Sequence, residues 1–396
     1  MLFSVALILL VGMAAGWMCG RLKLPGLLGM IVTGILLGPY MLDCIDSSIL
    51  NISADLRKIA LIIILTRAGL TLNLSDLKKV GRPAVLMCFL PASFEILGMV
   101  LLAPKLLGVP AADAAIIGSV VAAVSPAVVV PKMIKLTAEG YGTEKGIPQL
   151  ILAGASVDDV FVIVLFTAFT GIAAGNGFSA VSLLNIPLSI LLGAAAGLLA
   201  GFAISAFFRA VHIRDTAKVI ILLCVSFLLV TLEDSIAGPV SFSALIAVMF
   251  IGIGLQKYRS EAAQRLSVKF NKLWVGAEIL LFVLVGATVD VRYITAAGAA
   301  AVLLIALALC FRMAGVLLCL TGTALSFKER VFCMIGYMPK ATVQAAIGGM
   351  PLAMGLACGN IVLTVAVLSI LITAPLGAFA IDLTYRKLLS HDGEGG

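Results

Sequence analysis

Long runs of apolar residues recur along the chain, separated by short polar segments that hold most of the charge. Each run approaches the ~20 residues that an α-helix needs to cross the hydrocarbon core of a bilayer. This pattern predicts an all-α polytopic membrane protein with about thirteen transmembrane helices. The predicted spans cover residues 2–19, 26–42, 57–74, 83–107, 110–131, 147–170, 185–208, 216–232, 238–255, 271–289, 293–322, 329–352 and 357–380.

The positive charge divides unequally between the connections. We counted Lys and Arg in each connection together with the adjoining span ends. The first, third and every further odd-numbered connection, with the tail, hold 20 of them in total, and the even-numbered connections hold 4 in total. Because cytoplasmic connections carry the positive excess, we expect the N-terminus outside and the C-terminus in the cytoplasm, across the cell (inner) membrane. The most basic connection, 256–272, is expected to lie as a loop along the cytoplasmic surface.

Composition excludes several classes of protein. Hydrophobic residues make up 62% of the 396 residues and charged residues only 12%, too few for a soluble protein of this size. Both histidines lie in polar connections, the eight cysteines lack zinc spacing, and no phosphate-binding loop for ATP is present. We therefore expect a protein that is not an enzyme, needs no cofactor beyond transported ions, and binds no nucleic acid despite a net charge of +7. The first apolar run lacks a preceding basic segment, which favours a spanning helix over a cleaved signal peptide.

A few ionisable side chains fall inside the predicted spans. Ionisable groups at membrane depth are costly and usually mark an ion or proton pathway. For Arg67 and Glu278 we favour a purely structural ion pair. The remaining five are Glu95, Asp158, Asp159, Arg312 and Lys340.

Two halves of the chain show an internal repeat. The segments 69–73 (GLTLN) and 286–290 (GATVD) end spans 3 and 10 at an offset of 217, and the same offset relates Glu95 to Arg312. Seven spans separate the copies, so the second copy is inverted in the membrane, as in secondary transporters. The shared offset also suggests an ion pair between Glu95 and Arg312.

Spans 5 and 12 both contain helix-breaking residues. The breaks are marked by Pro126 in the first and by Pro339 and Thr342 in the second. Proline removes an amide and frees backbone carbonyls, which lipid tolerates only where the backbone is buried in protein or lines a wet cavity. We therefore expect two discontinuous helices that cross near the middle of the membrane.

Span 6 carries the adjacent carboxylates Asp158 and Asp159 at its centre. Neighbouring residues on a helix point about 100° apart, so one can face a cavity while the other faces a helix. Two desolvated carboxylates this close cannot both ionise easily, so a proton and a small hard cation compete for them. Ser125 and Ser156 offer additional oxygen ligands for that cation.

The chain resembles the monovalent cation:proton antiporter superfamily, and within it the sodium/proton antiporter branch with a paired-aspartate motif. The resemblance is carried by the segments 22–39, 65–79, 123–133, 155–166 and 338–349, of which ASVDDV and PKATVQAA are the most specific. It implies an inverted-repeat antiporter fold in which a mobile core moves against a dimerising scaffold, so we expect a homodimer in contact with membrane lipid. The implied divisions are scaffold 1–82 and 209–292, core 83–170 and 293–380, linker helix 185–208 and cytoplasmic tail 381–396.

The resemblance also assigns roles to individual residues. Asp159 matches the principal cation- and proton-binding carboxylate, and Asp158 matches its partner. Arg312 falls where the family places a basic residue, lysine in one subgroup and arginine in another. Since arginine stays charged, we expect Glu95 and Arg312 to be permanently paired, and Lys340 to be the lysine that pairs with an aspartate.

The leading hypothesis is exchange of Na⁺ or Li⁺ for H⁺ by alternating access, with one proton per cation. Alternatives of the same fold are a K⁺/H⁺ antiporter and a sodium-coupled carrier of organic solutes. An ion channel is disfavoured because no ring or filter of repeated ligands is evident.

Overall fold

A computed structural model describes residues 1–72, 81–173, 180–236 and 242–391, with no side-chain description for 180–187, 234 and 294–297. Within these ranges the chain is helical, apart from loops and one isolated β-bridge between Tyr141 and His391. The helices are α1 Leu2–Arg21, α2 Gly26–Leu37, α3 Ser47–Asn51, α4 Ser53–Thr71, α5 Arg82–Met87, α6 Leu90–Leu107, α7 Ala111–Val121, α8 Pro126–Ala138, α9 Ile147–Gly171, α10 Ala180–Ala210, α11 Asp215–Ser235, α12 Ala244–Tyr258, α13 Ser260–Ala287, α14 Val291–Cys319, α15 Phe327–Gly336, α16 Thr342–Ile347, α17 Met350–Ala353 and α18 Gly359–Leu388.

The described part of each predicted span contains one helix or consecutive helical pieces, which confirms the polytopic all-α fold class. In the described part of the chain, nine segments are long and apolar enough to cross a membrane, and α2 and α12 are shorter apolar helices. Asn73, which closes the first copy of the repeated segment, and residues 392–396 of the predicted tail lie outside the described residues.

The chain divides into two compact units. The first comprises Met1–Ala54, Ser75–Ala174 and Leu281–Gly396, and the second comprises Asp55–Leu74 and Gly175–Leu280. The first unit therefore holds all the pieces of spans 4, 5, 6, 11, 12 and 13. The expected division into scaffold, linker and core, with the boundaries given above, stays a prediction.

Close backbone contact holds neighbouring helices together within each unit. In the first unit, Gly34 of α2 lies so near the end of α13 that a Cβ atom there would stand 1.9 Å from the carbonyl oxygen of Val283. In the second unit, a Cβ atom on Gly69 of α4 would stand 2.0 Å from the carbonyl oxygen of Met249. Small residues at these positions let the helix backbones touch, as is usual in membrane bundles.

The two predicted helix breaks are present and cross. Span 5 is interrupted between α7 and α8, and Pro126 occupies the first position of α8, where its missing amide costs nothing. Span 12 is interrupted between α15 and α16. The Ser125 amide donates to the Pro339 carbonyl oxygen at 2.8 Å, so the two breaks are joined backbone to backbone.

Two features differ from the sequence-based expectation. Span 4 is also interrupted, at residues 88–89 between α5 and α6. The basic segment 256–272 is not a loop, because α13 begins at Ser260 and runs without interruption to Ala287. Its apolar residues Ala262, Ala263, Leu266 and Phe270 are buried at helical spacing, and the charged residues between them lower the mean hydropathy.

Candidate functional site

The two adjacent aspartates lie on α9 in different environments. Asp158 is completely buried, whereas Asp159 is half-buried. The angular offset of neighbouring helix positions produces this difference, since one side chain faces the packed interior and the other does not. Asp158 Oδ2 accepts hydrogen bonds from the Arg312 guanidinium at 2.8 Å and from the Val124 amide at 2.9 Å. Asp159 Oδ1 has no hydrogen-bond donor among the described residues.

The Arg312 guanidinium lies at the centre of the crossing. Its Nη1 donates to Glu95 Oε2 at 2.9 Å and also to the Ala122 carbonyl oxygen, and its Nε donates to the Tyr337 carbonyl oxygen at 2.7 Å. The carbonyls of Ala122 and Tyr337 are those freed by the two helix breaks. One side chain thus bridges both discontinuous helices and two carboxylates, which the planar fork of arginine suits better than the single nitrogen of lysine.

The Glu95–Arg312 ion pair that the repeat offset suggests is present. The prediction that Lys340 pairs with an aspartate is wrong. Lys340 Nζ donates to Glu95 Oε2 at 2.8 Å rather than to an aspartate. The reason is that Arg312 already takes the paired oxygen of Asp158. Glu95, Arg312 and Lys340 are each at most 1% exposed, so these contacts are made away from solvent.

The side chains around the breaks leave several buried oxygens without a donor. Ser125 and Thr342 flank the crossing, and both hydroxyls lack a partner among the described residues. Ser156 is half-buried and donates to the Leu152 carbonyl oxygen at 2.8 Å, which leaves its own oxygen free to accept. Oxygens of this kind form the ligand type that hard cations take. The unpartnered set in this region is Glu95 Oε1, Ser125 Oγ, Asp158 Oδ1, Asp159 Oδ1, Thr342 Oγ1 and Gln344 Oε1.

Two contributors were missed by sequence reasoning. Gln344 is completely buried and donates to the carbonyl oxygens of Val121 and Ala123. Thr373 accepts from the Lys340 amide at 3.0 Å and so supports the second break. The only available signal was the position of Gln344 directly after a predicted break, because neither residue is ionisable.

Comparison with known proteins shows the family to which the chain belongs. The profile of the family described as "Sodium/hydrogen exchanger, transmembrane" matches residues 5–386. Sodium/hydrogen exchanger 9B2 of Homo sapiens is 34% identical over 98% of this chain and 75% of its own length. Sodium/hydrogen exchanger 9B1 of Homo sapiens is 32% identical over 93% of this chain and 73% of its own length.

A solved structure shares the fold. The sodium proton antiporter MjNhaP1 from Methanocaldococcus jannaschii, determined at pH 8, superposes with a TM-score of 0.84 at 20% identity, over 97% of each chain. At 20% identity this structural similarity shows the shared fold alone. Membership of the family is shown by the sequence profile and by the relatives that are 34% and 32% identical. The chain therefore belongs to the sodium/hydrogen exchanger family of the cation:proton antiporter superfamily.

Proposed function

We propose that the protein exchanges Na⁺ or Li⁺ for H⁺, with cation and proton competing for a site built on Asp159. The observation that carries this proposal is the unequal state of the two aspartates. Asp158 is held by Arg312 and by the Val124 amide, whereas Asp159 is half-buried and its Oδ1 meets no donor. Asp159 is thus the carboxylate that can take a proton or a cation. The names of the relatives, sodium/hydrogen exchangers, support Na⁺ and H⁺ as the exchanged ions.

The surrounding oxygens support a cation at this place. Asp158 Oδ1, Ser125 Oγ and the Ser156 hydroxyl lie on the elements that form the crossing and its neighbour α9. Two carboxylates and neutral hydroxyl oxygens form a mixed ligand set that a small monovalent cation can share with water. Asp158 and Asp159 are therefore the proposed metal ligands, and the bound ion is substrate rather than a resident cofactor.

The charge balance supports exchange of one proton for one cation. Glu95 and Asp158 carry two negative charges against the two positive charges of Arg312 and Lys340, within hydrogen-bonding distance of one another. Arginine does not release a proton, and Lys340 is held by Glu95 rather than by the ion-binding pair. Asp159 is then the single group that changes its occupant during a cycle, so the exchange is electroneutral.

The mechanism that we propose is alternating access in a homodimer embedded in the cytoplasmic membrane. A mobile core of 83–170 and 293–380 would move against the scaffold 1–82 and 209–292. The C-terminus would lie in the cytoplasm, as the distribution of Lys and Arg indicates.

Everted membrane vesicles with an acidic interior test the proposed ions. Addition of Na⁺ or Li⁺ is expected to release protons from the vesicles, and K⁺ serves as the comparison cation. Asp159→Asn should abolish this release because an amide neither ionises nor replaces the carboxylate. Asp113→Asn is the matched control, since Asp113 lies in the first turn of α7, away from the crossing. The proposal fails if Na⁺ and Li⁺ are inactive, or if Asp159→Asn exchanges normally.

Stoichiometry requires a second measurement. Proteoliposomes with no membrane potential and with an imposed potential are expected to show the same rate of cation-dependent proton flux. A rate that follows the imposed potential would contradict one-for-one exchange and would implicate a second titrating group. If K⁺ alone drives the flux, the protein is a K⁺/H⁺ antiporter of the same fold.

A further inference from the structure

Gln344 occupies a completely buried position in α16, directly after the second helix break. Its Nε2 donates to the Ala123 carbonyl oxygen at 2.8 Å and to the Val121 carbonyl oxygen at 3.1 Å. The opposite orientation of the amide would set its oxygen against two carbonyl oxygens, so these contacts fix the orientation. The side chain therefore caps the end of α7, where the break leaves carbonyls without helical partners.

One of these contacts falls on the peptide group that holds Asp158. The carbonyl of Ala123 and the amide of Val124 belong to one peptide unit, and the Val124 amide donates to Asp158 Oδ2 at 2.9 Å. In a trans peptide these two groups point in opposite directions. Gln344 and Asp158 thus hold the same peptide group from its two sides, and hydrogen bonds in such a chain polarise one another.

We propose that Gln344 is a positioning residue for cation binding, which acts on Asp158 and Ser125 through the 123–124 peptide. The inference rests on the proposed function. With the peptide fixed on both sides, the Asp158 carboxylate has one defined orientation, and its free Oδ1 is presented together with Ser125 Oγ, which follows in the chain. Loss of the two hydrogen bonds from Gln344 lets the 123–124 peptide rotate, so Asp158 Oδ1 and Ser125 Oγ no longer hold fixed positions.

The charged groups near Asp158 do not substitute for this constraint. Arg312 holds the same carboxylate oxygen through Nη2, but it contacts the neighbouring Ala122 carbonyl rather than that of Ala123. Lys340 is engaged by Glu95. Gln344 is therefore the described side chain that contacts the 123–124 peptide from the side opposite to Asp158.

The test compares cation dependence in purified, reconstituted protein. Gln344→Met keeps the size of the side chain and removes both donors. We expect the KM for Na⁺ to rise about tenfold, the factor equivalent to ~1.4 kcal/mol, while Vmax per folded molecule stays within about twofold. Li⁺ should show the same direction of change. A role in folding alone would reduce the amount of active protein without raising KM.

Ser119→Ala is the matched control. Ser119 is completely buried on the same half-helix α7, and its hydroxyl donates to the Ile116 carbonyl oxygen at 2.8 Å rather than to the Ala123 carbonyl oxygen. Its KM for Na⁺ should stay at the wild-type value. An unchanged KM in Gln344→Met, or an equal rise in Ser119→Ala, would overturn the inference.

A second variant covers the case in which Gln344→Met does not fold. Gln344→Asn retains an amide but withdraws it by about 1.5 Å, beyond hydrogen-bonding distance of the two carbonyls. It should raise KM in the same direction, and a wild-type KM would overturn the inference. The two proposals fail separately: a wild-type protein that shows no Na⁺- or Li⁺-dependent proton flux refutes the proposed function, whereas normal wild-type exchange with unaltered KM in the variants refutes only the role of Gln344.

Discussion

Replacement of Glu95 by glutamine tests how the buried charges are balanced. Glu95 Oε2 accepts from Arg312 Nη1 at 2.9 Å and from Lys340 Nζ at 2.8 Å. Glutamine preserves the shape of the side chain but removes its charge. Arg312 would keep Asp158 and two carbonyl oxygens, so the ion left without a counterion is the completely buried ammonium of Lys340.

The expected magnitude follows from this count of partners. Removal of one member of a buried ion pair costs about 3–5 kcal/mol, because the remaining charge stays buried. Since Arg312 retains most of its contacts, Glu95→Gln should fall near the lower end, at ~3 kcal/mol. The double variant Glu95→Gln/Lys340→Met removes both charges and should recover much of that loss, which gives a large coupling energy between the two positions.

Heat-induced loss of monodisperse protein in detergent measures this stability. The four proteins of the cycle are wild type, each single variant and the double variant, measured under the same detergent and salt. The reasoning is refuted if Glu95→Gln denatures at the wild-type temperature, or if the double variant is no more stable than Glu95→Gln. A charge swap between positions 95 and 312 is a poorer test, because a glutamate at 312 would also lose the two bonds to backbone carbonyls.

Three other predictions concern the hydrogen bonds of Arg312, the packing of two helices and the capping of α15. Arg312→Lys should lower stability by about 2 kcal/mol or more and slow Na⁺-dependent proton flux, since one nitrogen cannot bond two carboxylates and two carbonyls at once; unaltered thermal stability and flux would contradict this. Gly34→Ala should cost about 1–3 kcal/mol by overpacking against Val283, whereas Gly20→Ala, with no atom within 4 Å of the added Cβ, should leave the denaturation temperature unchanged or slightly raised. Ser326→Ala removes the capping box of α15 and should cost about 1 kcal/mol in the same assay; an unchanged temperature would show that the cap contributes nothing.

The sequence was sufficient to predict the spans and the breaks in spans 5 and 12, but it did not reveal the interruption of span 4 at residues 88–89. Apolar runs must be helical in lipid, where no water satisfies the backbone, and the interruptions of spans 5 and 12 lie at Pro126 and Pro339. Proline alone does not interrupt a span, because Pro104 and Pro375 lie inside α6 and α18. The pairing of Glu95 with Arg312 could also be predicted, because the repeat offset of 217 places the two residues at equivalent positions of the two halves.

Other features depend on which side chains meet in space. The partner of Lys340 could not be deduced, because Arg312 and Lys340 compete for the same carboxylates and only geometry determines that Arg312 takes Asp158. The role of Gln344 was equally hidden, because its partners are backbone carbonyls exposed by a break elsewhere in the chain. The start of helix α13 was predicted wrongly for a different reason. Its first turns are amphipathic, so apolar and charged residues alternate there and the mean hydropathy is that of a polar segment.

The placement of Glu95 and Arg312 has a consequence for how such a molecule could be assembled from two similar halves. The two residues hold equivalent positions in the repeats, yet they carry opposite charges and meet at 2.9 Å. Two copies of the first repeat facing each other would bring two carboxylates together, and two copies of the second would bring two guanidinium groups together. The backbone is duplicated, but the electrostatics are complementary, so neither half could build this site by pairing with itself.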